Sequence, residues 1–343
     1  MAITKIKVEN LTVFEEMEMN VEANVNVIIG ENGTGKTHLL KFIYMTLTSS
    51  INDTSGMIIA RPFGKWNFSP RRNPELELSQ FKLLFEDEYR EFKIYPISNI
   101  LKLENETEIT QVQWQQSIEK SNNDPFSKGK EKIVFIPGKD MLTHSPGFLS
   151  MVREWKMPFD EVLVDIVSKA SLPELREIPK LAKNIKPQLE KIMDGIVVIE
   201  NDEFFILKKD GQKISFSVEA EGIKKIGLLW KLLMTGNITE ESILLWDEPE
   251  ANMNPKLIPV LAEIILELGR NGVQIFLATH DDLLSEYIEV LMSEKDSVSF
   301  HALYKTENGV KCETETKFTL LEKNAIVDES LRLYEKTVEK GLE

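Results

Sequence analysis

The chain has 343 residues, a formal net charge of -15, 42% hydrophobic and 28% charged residues, and one cysteine, Cys312. A single cysteine excludes an intrachain disulfide and points to a reducing cytoplasm; the charged, strand-like start Met1–Leu11 is unlike a signal peptide, and no apolar run approaches the ~18 residues that cross a bilayer. The acidic balance argues against a generic duplex-DNA binder, whose affinity comes largely from Lys and Arg neutralising phosphates.

Residues 1–29 read as three strands, ITKIKVENL, FEEMEMNVEA and VNVII. The last is an apolar run of the kind buried on both faces of a parallel sheet. A helical pattern follows over 36–50, with Leu39, Leu40, Phe42, Ile43 and Leu47 on one side. Residues 51–110 read as mostly β, through runs such as LELSQFKLLFED and EYREFKIYPI, and Asn105 to Lys132 as a polar, loop-rich stretch. IVFIP, closed by Pro137-Gly138, is a short buried strand. Residues 138–195 change to short helices broken by prolines. Residues 196–217 return to strands, with Asp210-Gly211 as a hairpin turn. A helix over Glu219–Met234, strand ILLWD, helix Pro255–Leu268, strand VQIFLAT and helix Asp281–Leu291 then alternate as a parallel sheet requires. Strands near 297–304 and 310–316 and a helix near 325–340 close the chain. The expected fold class is α/β: a mixed sheet core with an antiparallel β subdomain and a helical insertion lobe. Its expected divisions are 1–137, 138–195, 196–296 and 297–343.

The segment Gly30-Glu31-Asn32-Gly33-Thr34-Gly35-Lys36-Thr37 fits the spacing G-x-x-x-x-G-K-[ST] with no mismatch. It lies between a strand and a helix, the context that makes the motif specific. Its glycines let backbone N–H groups turn toward a phosphate chain, and the new helix adds the positive end of its dipole. Lys36 supplies a charge for the β- and γ-phosphates and Thr37 a hydroxyl for Mg²⁺. His38 completes the candidate nucleotide-binding set. About 210 residues later, ILLWDEPEANMNP carries Asp247 and Glu248 at the carboxyl end of a strand, where an open sheet places its ligand crevice. Asp247 suits Mg²⁺, and Glu248 suits a general base for attacking water. One strand–helix unit further on, VQIFLAT ends at His280, which that spacing returns to the γ-phosphate.

These motifs resemble those of ABC-type ATPases of the SMC, RecF and OLD-like branch, and within it the compact AAA_15/AAA_21-like ATPases. Many of those sit beside a nuclease or toxin in bacterial anti-phage systems such as Septu and PARIS. Gly30–Thr37 resembles their Walker A, LLWDEPE their Walker B with the catalytic glutamate, ANMNP with Asn252 their D-loop, and ATHD their H-switch. The resemblance covers residues ~1–50 and ~215–290 and implies catalytic roles for Lys36, Glu248 and His280. It also implies ATP as substrate, Mg²⁺ on Thr37 and Asp247, and a head-to-head homodimer, or a higher homo-oligomer, whose partner signature helix covers each γ-phosphate.

Two departures stand out. The best signature match is Val218 to Trp230, with Gly222 as the expected glycine, but Ala220 replaces the usual serine and Glu221 follows it. Lys224 or Lys225 is a candidate to restore charge there. The position expected for the Q-loop, FIPGKD, has no Gln, leaving Lys139 or Asp140 as substitutes. Gln80 is out of order, and Arg61 resembles a phosphate-touching arginine of repair ATPases no better than a surface arginine.

Three readings follow. The first is an ATPase switch controlling a separately encoded nuclease or toxin, in phage defence. The second is a RecF-type DNA ATPase, for which charge gives no support beyond two candidate basic faces, Lys128/Lys130/Lys132/Lys139 and Lys180/Lys183/Lys186/Lys191, each of which reads first as a solvated surface. The third is a slow scaffold in which ATP is structural glue.

Overall fold

Strands that are apolar throughout and strands that alternate with polar residues build different sheets in this protein. The computed structural model describes residues 2–48, 79–85, 88–102, 108–121, 132–155 and 159–342; Arg61, Lys128 and Lys130 lie outside them. In chain order the elements are β1 Lys5–Leu11, β2 Phe14–Asn20, β3 Val25–Gly30, α1 Lys36–Thr48, β4 Ser79–Phe85, β5 Glu88–Lys102, β6 Glu108–Lys120 and β7 Ile133–Ile136. Helices α2 Phe148–Trp155, α3 Glu161–Ala170 and α4 Lys180–Met193 follow, then β8 Gly195–Glu200, β9 Glu203–Lys208, β10 Lys213–Ser215 and α5 Glu221–Met234. The remainder is β11 Ile243–Asp247, α6 Ile258–Arg270, β12 Gln274–Ala278, α7 Asp282–Leu291, β13 Val298–Thr306, β14 Gly309–Glu315 and α8 Ala325–Leu342.

The apolar runs β3, β12, β11 and β7 form the central sheet, extended at one side by the more polar β13 and β14, in the order β14-β13-β3-β12-β11-β7. All its pairings are parallel except β13 with β14. Continuous apolarity is explained by burial on both faces. Val25, Val27, Ile29, Leu244 and Trp246 point into one core, with α5 and α6. Ile28, Ile243 and Leu245 point into the other, with α1 and the second sheet.

That second sheet is antiparallel, in the order β2-β1-β4-β5-β6, and alternates along β1 and β2 because only one face is covered. Phe42 of α1 packs on Phe81 of β4 with ring centroids 5.5 Å apart. Buried Arg90 of β5 donates from Nη1 to the carbonyls of Thr46 and Leu47, at 2.9 and 2.5 Å, closing the C-terminus of α1. The stretch expected to be loop-rich contains strand β6. Among the described residues it is the last strand of its sheet and pairs with β5 over the register Arg90↔Lys120 to Lys102↔Glu108, so hydrogen bonding rather than an apolar pattern defines it.

A third sheet, β10-β9-β8, is antiparallel. Asn201 and Asp202 both take left-handed φ, 51° and 63°, in the two-residue turn between β8 and β9. Asp210-Gly211 turns the chain from β9 to β10, with Asp210 Oδ1 accepting from Gln212 N at 2.8 Å. Short helices occupy 148–193, and Lys41 of α1 pairs with Asp160, the N-cap of α3, at 2.5 Å. The helix expected from Pro255 opens as a 3₁₀ turn over Pro255–Leu257, capped by Asn254, and runs on to Arg270. No helix among the described residues is long and apolar enough to cross a membrane.

Candidate functional site

The glycine loop leaves β3 at Gly30 and enters α1 at Lys36. Gly35 sits at φ +88°, and a Cβ there would stand 2.8 Å from Val13 Cγ2 and 2.9 Å from Phe14 Cζ, so the turn at the helix entrance is closed to any side chain. Buried Thr34 donates to the Glu31 carbonyl at 2.9 Å and fixes the loop from within. Lys36 Nζ donates to the carbonyls of Gly30 at 2.7 Å and Glu31 at 3.0 Å. The Glu31 side chain itself leaves the site and pairs with Lys305 at 2.9 Å. Burial holds the Lys36 ammonium down at about 8, against the opposing pull of Asp247, Glu248, Glu250 and Glu31.

Strand β11 lies between β12 and β7 and brings Asp247 to the start of α1. Thr37 Oγ1 stands 3.1 and 3.0 Å from the two carboxylate oxygens of Asp247. The two stretches that the sequence sets about 210 residues apart therefore meet. Burial raises the Asp247 carboxyl above its ordinary value, with the Thr37 hydrogen bond opposing. Glu248 takes a left-handed φ of +46°, costly for a non-glycine residue. Two bonds hold it there: Glu248 N donates to Ala278 O at 2.8 Å, and Lys225 Nζ donates to Glu248 O at 2.6 Å.

His280 follows β12 and stands between the lysine and the glutamate. Its Nδ1 is 3.3 Å from Lys36 Nζ and its Nε2 is 3.8 Å from Glu248 Oε1. When the Lys36 ammonium donates to Nδ1, the ring proton sits on Nε2, facing Glu248; the ring also bonds the Gly30 backbone. Burial, then the Lys36 charge, lowers the His280 pKa and keeps the ring neutral. Together these groups line a cleft of about 340 Å³ with Asn32, Gly33, Gly35, Thr37, His38 and Val13. Val13 was not legible as a site residue: it is a lone β-branched side chain in the β1–β2 turn, and only the pairing of that hairpin places it over the loop.

Ala220, Glu221 and Gly222 open α5 and do not line this cleft. Ala220 is exposed at the N-cap and offers no side-chain cap, while Gly222 is buried where an added Cβ would meet Met253 Cα and Cγ at 3.2 Å. Asn252, in the turn after Glu248, is exposed and left-handed at φ 61°. The expectation that Lys224 or Lys225 supplies charge at the mouth of α5 is not met. Both are buried, because these positions of the helix face the molecule: Lys224 pairs with Glu221 at 2.7 Å, and Lys225 is spent on the Glu248 carbonyl. Asp140 is likewise occupied as a cap, accepting from Leu142 N at 2.9 Å and Thr143 N at 3.3 Å, which leaves exposed Lys139 as the remaining substitute in that segment. Gln80 bonds Glu9 across the antiparallel sheet. Of the basic faces, Lys132 is anchored on the Gly236 carbonyl and Lys186 pairs with Glu190 at 2.8 Å, whereas Lys180, Lys183 and Lys191 lie on the exposed side of α4.

Comparison with known proteins places this geometry. The profile of the AAA_21 family, described as "AAA domain, putative AbiEii toxin, Type IV TA system", matches residues 25–286. The DNA replication and repair protein RecF of Bacillus mycoides (strain KBAB4) is 44% identical over 55 residues, and that of Bacillus thuringiensis (strain Al Hakam) 42% over 55 residues. Each match spans 16% of this chain and 15% of the relative's length. Among solved structures, an SMC head bound to the C-terminal winged-helix domain of ScpA superposes with a TM-score of 0.54 at 13% identity, covering 92% of this chain and 98% of that one. The SMC head of Pyrococcus furiosus, bound to the C-terminal domain of ScpA, gives 0.50 at 11% identity, with 98% and 99% covered. At these identities the likeness is one of fold.

Proposed function

The chain belongs to the AAA_21 family, with the fold of SMC- and RecF-like ABC-type ATPases, and from that premise we propose that it binds and hydrolyses ATP as a nucleotide-gated clamp. The observation that carries this reading is the meeting of Thr37 with Asp247 at 3.0 Å in the cleft where Lys36, Glu248 and His280 converge. Thr37 and Asp247 offer hard oxygen ligands and leave the remaining positions to phosphate and water, the usual arrangement for magnesium. When bound, the metal neutralises charge on the β- and γ-phosphates.

The chain's own groups divide the work. Lys36 is held by carbonyls and can exchange them for phosphate oxygens. The N-terminus of α1 turns the positive end of its dipole toward the phosphate chain. Glu248 accepts a proton from the attacking water. Neutral His280 presents its Nε2 proton on the Glu248 side, where it can donate to water or to the γ-phosphate. The start of α5, with Ala220 exposed and outside this cleft, suits a phosphate on a second copy, which makes a twofold dimer with two shared sites self-consistent. Glu248→Gln should leave ATP affinity intact, cut turnover by about 10²-fold or more, and trap an ATP-dependent dimer in mass measurements; wild-type turnover in that variant would move the base elsewhere. Lys36→Ala should abolish binding.

We further propose that the clamp controls a separate effector, a nuclease or toxin, in the manner of compact defence ATPases. A DNA-maintenance role, the second reading, draws support from the short RecF matches and from the exposed lysines of α4. ATP-dependent, salt-sensitive retention of duplex DNA that is lost on removing Lys180, Lys183 and Lys191 would decide for it.

A further inference from the structure

Two segments carry the reacting side chains, the turn 247–250 and the strand end 278–281, and their relative position fixes how His280 meets Glu248. Two cross-links join them. One is backbone, from Glu248 N to Ala278 O at 2.8 Å. The other is made by Glu250, whose Oε1 accepts from Thr279 Oγ1 at 2.6 Å. The Thr279 hydroxyl has one proton and gives it to Glu250, so it meets Asp281 N, at 2.9 Å, as an acceptor. The chain from Asp281 N–H through Thr279 O–H to Glu250 thus pins the backbone on both sides of His280. Glu250 also holds its own turn, since Met253 N donates to Glu250 O at 2.9 Å.

Glu250 is an expensive residue to keep there. It is 8% exposed, and its second carboxyl oxygen, Oε2, is buried without a partner. Burial raises its pKa. An apolar side chain of similar size would avoid the unsatisfied oxygen, but it would also take away the acceptor of the buried Thr279 hydroxyl and the carboxylate that faces the buried Lys225 ammonium. Such local costs concentrate at functional sites.

We propose that Glu250 is a positioning residue for ATP hydrolysis, acting through Thr279 to hold His280 and Glu248 in one relative geometry. It touches no reacting atom. The proposal rests on the ATPase reading, and the test separates the two. In the full-length protein, Glu250→Met should lower kcat by about ten- to a hundred-fold, the size of effect that a small misplacement produces, with the KM for ATP within about two-fold of wild type. Glu250→Gln keeps an acceptor for Thr279 and should recover most of the turnover. Thr279→Val should match Glu250→Met, and the double variant should be no worse than either. Independently of turnover, the His280 ring resonance, assigned among the four histidines by His280→Gln, should shift in Glu250→Met and stay in place in Glu250→Gln. Absent turnover in the wild type counts against the ATPase reading alone. An unmoved His280 resonance, turnover within two-fold of wild type, or Gln no better than Met overturns the role of Glu250.

Discussion

Raising the pH from 7 to 9 should weaken ATP binding about ten-fold, and Lys36 is the cause. Its ammonium is 6% exposed and titrates at about 8 instead of 10.5. With that value roughly nine in ten Lys36 side chains are charged at pH 7 and about one in ten at pH 9. Phosphate oxygens favour the charged form, so the bound lysine titrates higher and binding above pH 8 takes up a proton, about 0.9 per site at pH 9. The expected loss, about 1.4 kcal/mol, is one decade in affinity. The sign for folding runs the other way. The unfolded chain binds more protons than the nucleotide-free fold between pH 8 and 10.5, so stability rises with pH in that window, and the charged lysine costs on the order of 3 kcal/mol below it. His280 titrates below its ordinary 6.5 and stays out of the range. Lys225 is also lowered by burial, and Lys225→Met should leave the slope unchanged because its partner is a backbone carbonyl. Isothermal titration in two buffers of different ionisation enthalpy reads both affinity and proton uptake. Affinity independent of pH between 7 and 9, with no proton taken up, would refute the placement of Lys36 on the phosphates.

Two further outcomes test the start of α5. Ala220→Ser adds a capping hydroxyl at the N-cap of α5 and should stabilise the fold by about 0.5–1 kcal/mol, read in denaturant midpoints; if the missing hydroxyl limits catalysis across a dimer, turnover rises with it. Gly222→Val should push α5 off Met253, whose Cα and Cγ would lie 3.2 Å from the new Cβ, and should abolish ATP-dependent dimerisation while ATP still binds the monomer; a normal dimer would show that α5 does not form the interface.

The central fold was legible because its signals are local. A strand buried on both faces is a short apolar run whatever its neighbours, and the loop Gly30–Thr37 carries its geometry in its own glycines. Asp247, Glu248 and His280 were readable for a related reason: each follows such a strand, and parallel pairing puts strand ends side by side. Strand β6 was missed because its partner defines it. Lys224, Lys225 and Asp140 were misassigned because charge is visible in a sequence and side-chain direction is not. All three are drawn inward, Lys224 to Glu221 and within 3.8 Å of Asp140, and Lys225 to a carbonyl.

The misassigned lysine also explains a conformation that no sequence pattern announces. Glu248 precedes Pro249, which disfavours right-handed helical backbone at Glu248, and it sits left-handed at φ +46° at a cost of roughly 1–2 kcal/mol. A residue so placed relaxes unless its surroundings over-determine it. Here its N–H is held by the histidine strand and its carbonyl by Lys225 from α5, so the turn is clamped from two elements that approach it from different sides. Gly222, one helical turn before Lys225, is the residue that lets α5 come close enough to Met253 for the lysine to reach. The glycine that looks like a signature residue and the lysine that looked like a phosphate ligand therefore share a purpose within this chain: they bring the start of one helix onto the backbone of the glutamate in the cleft.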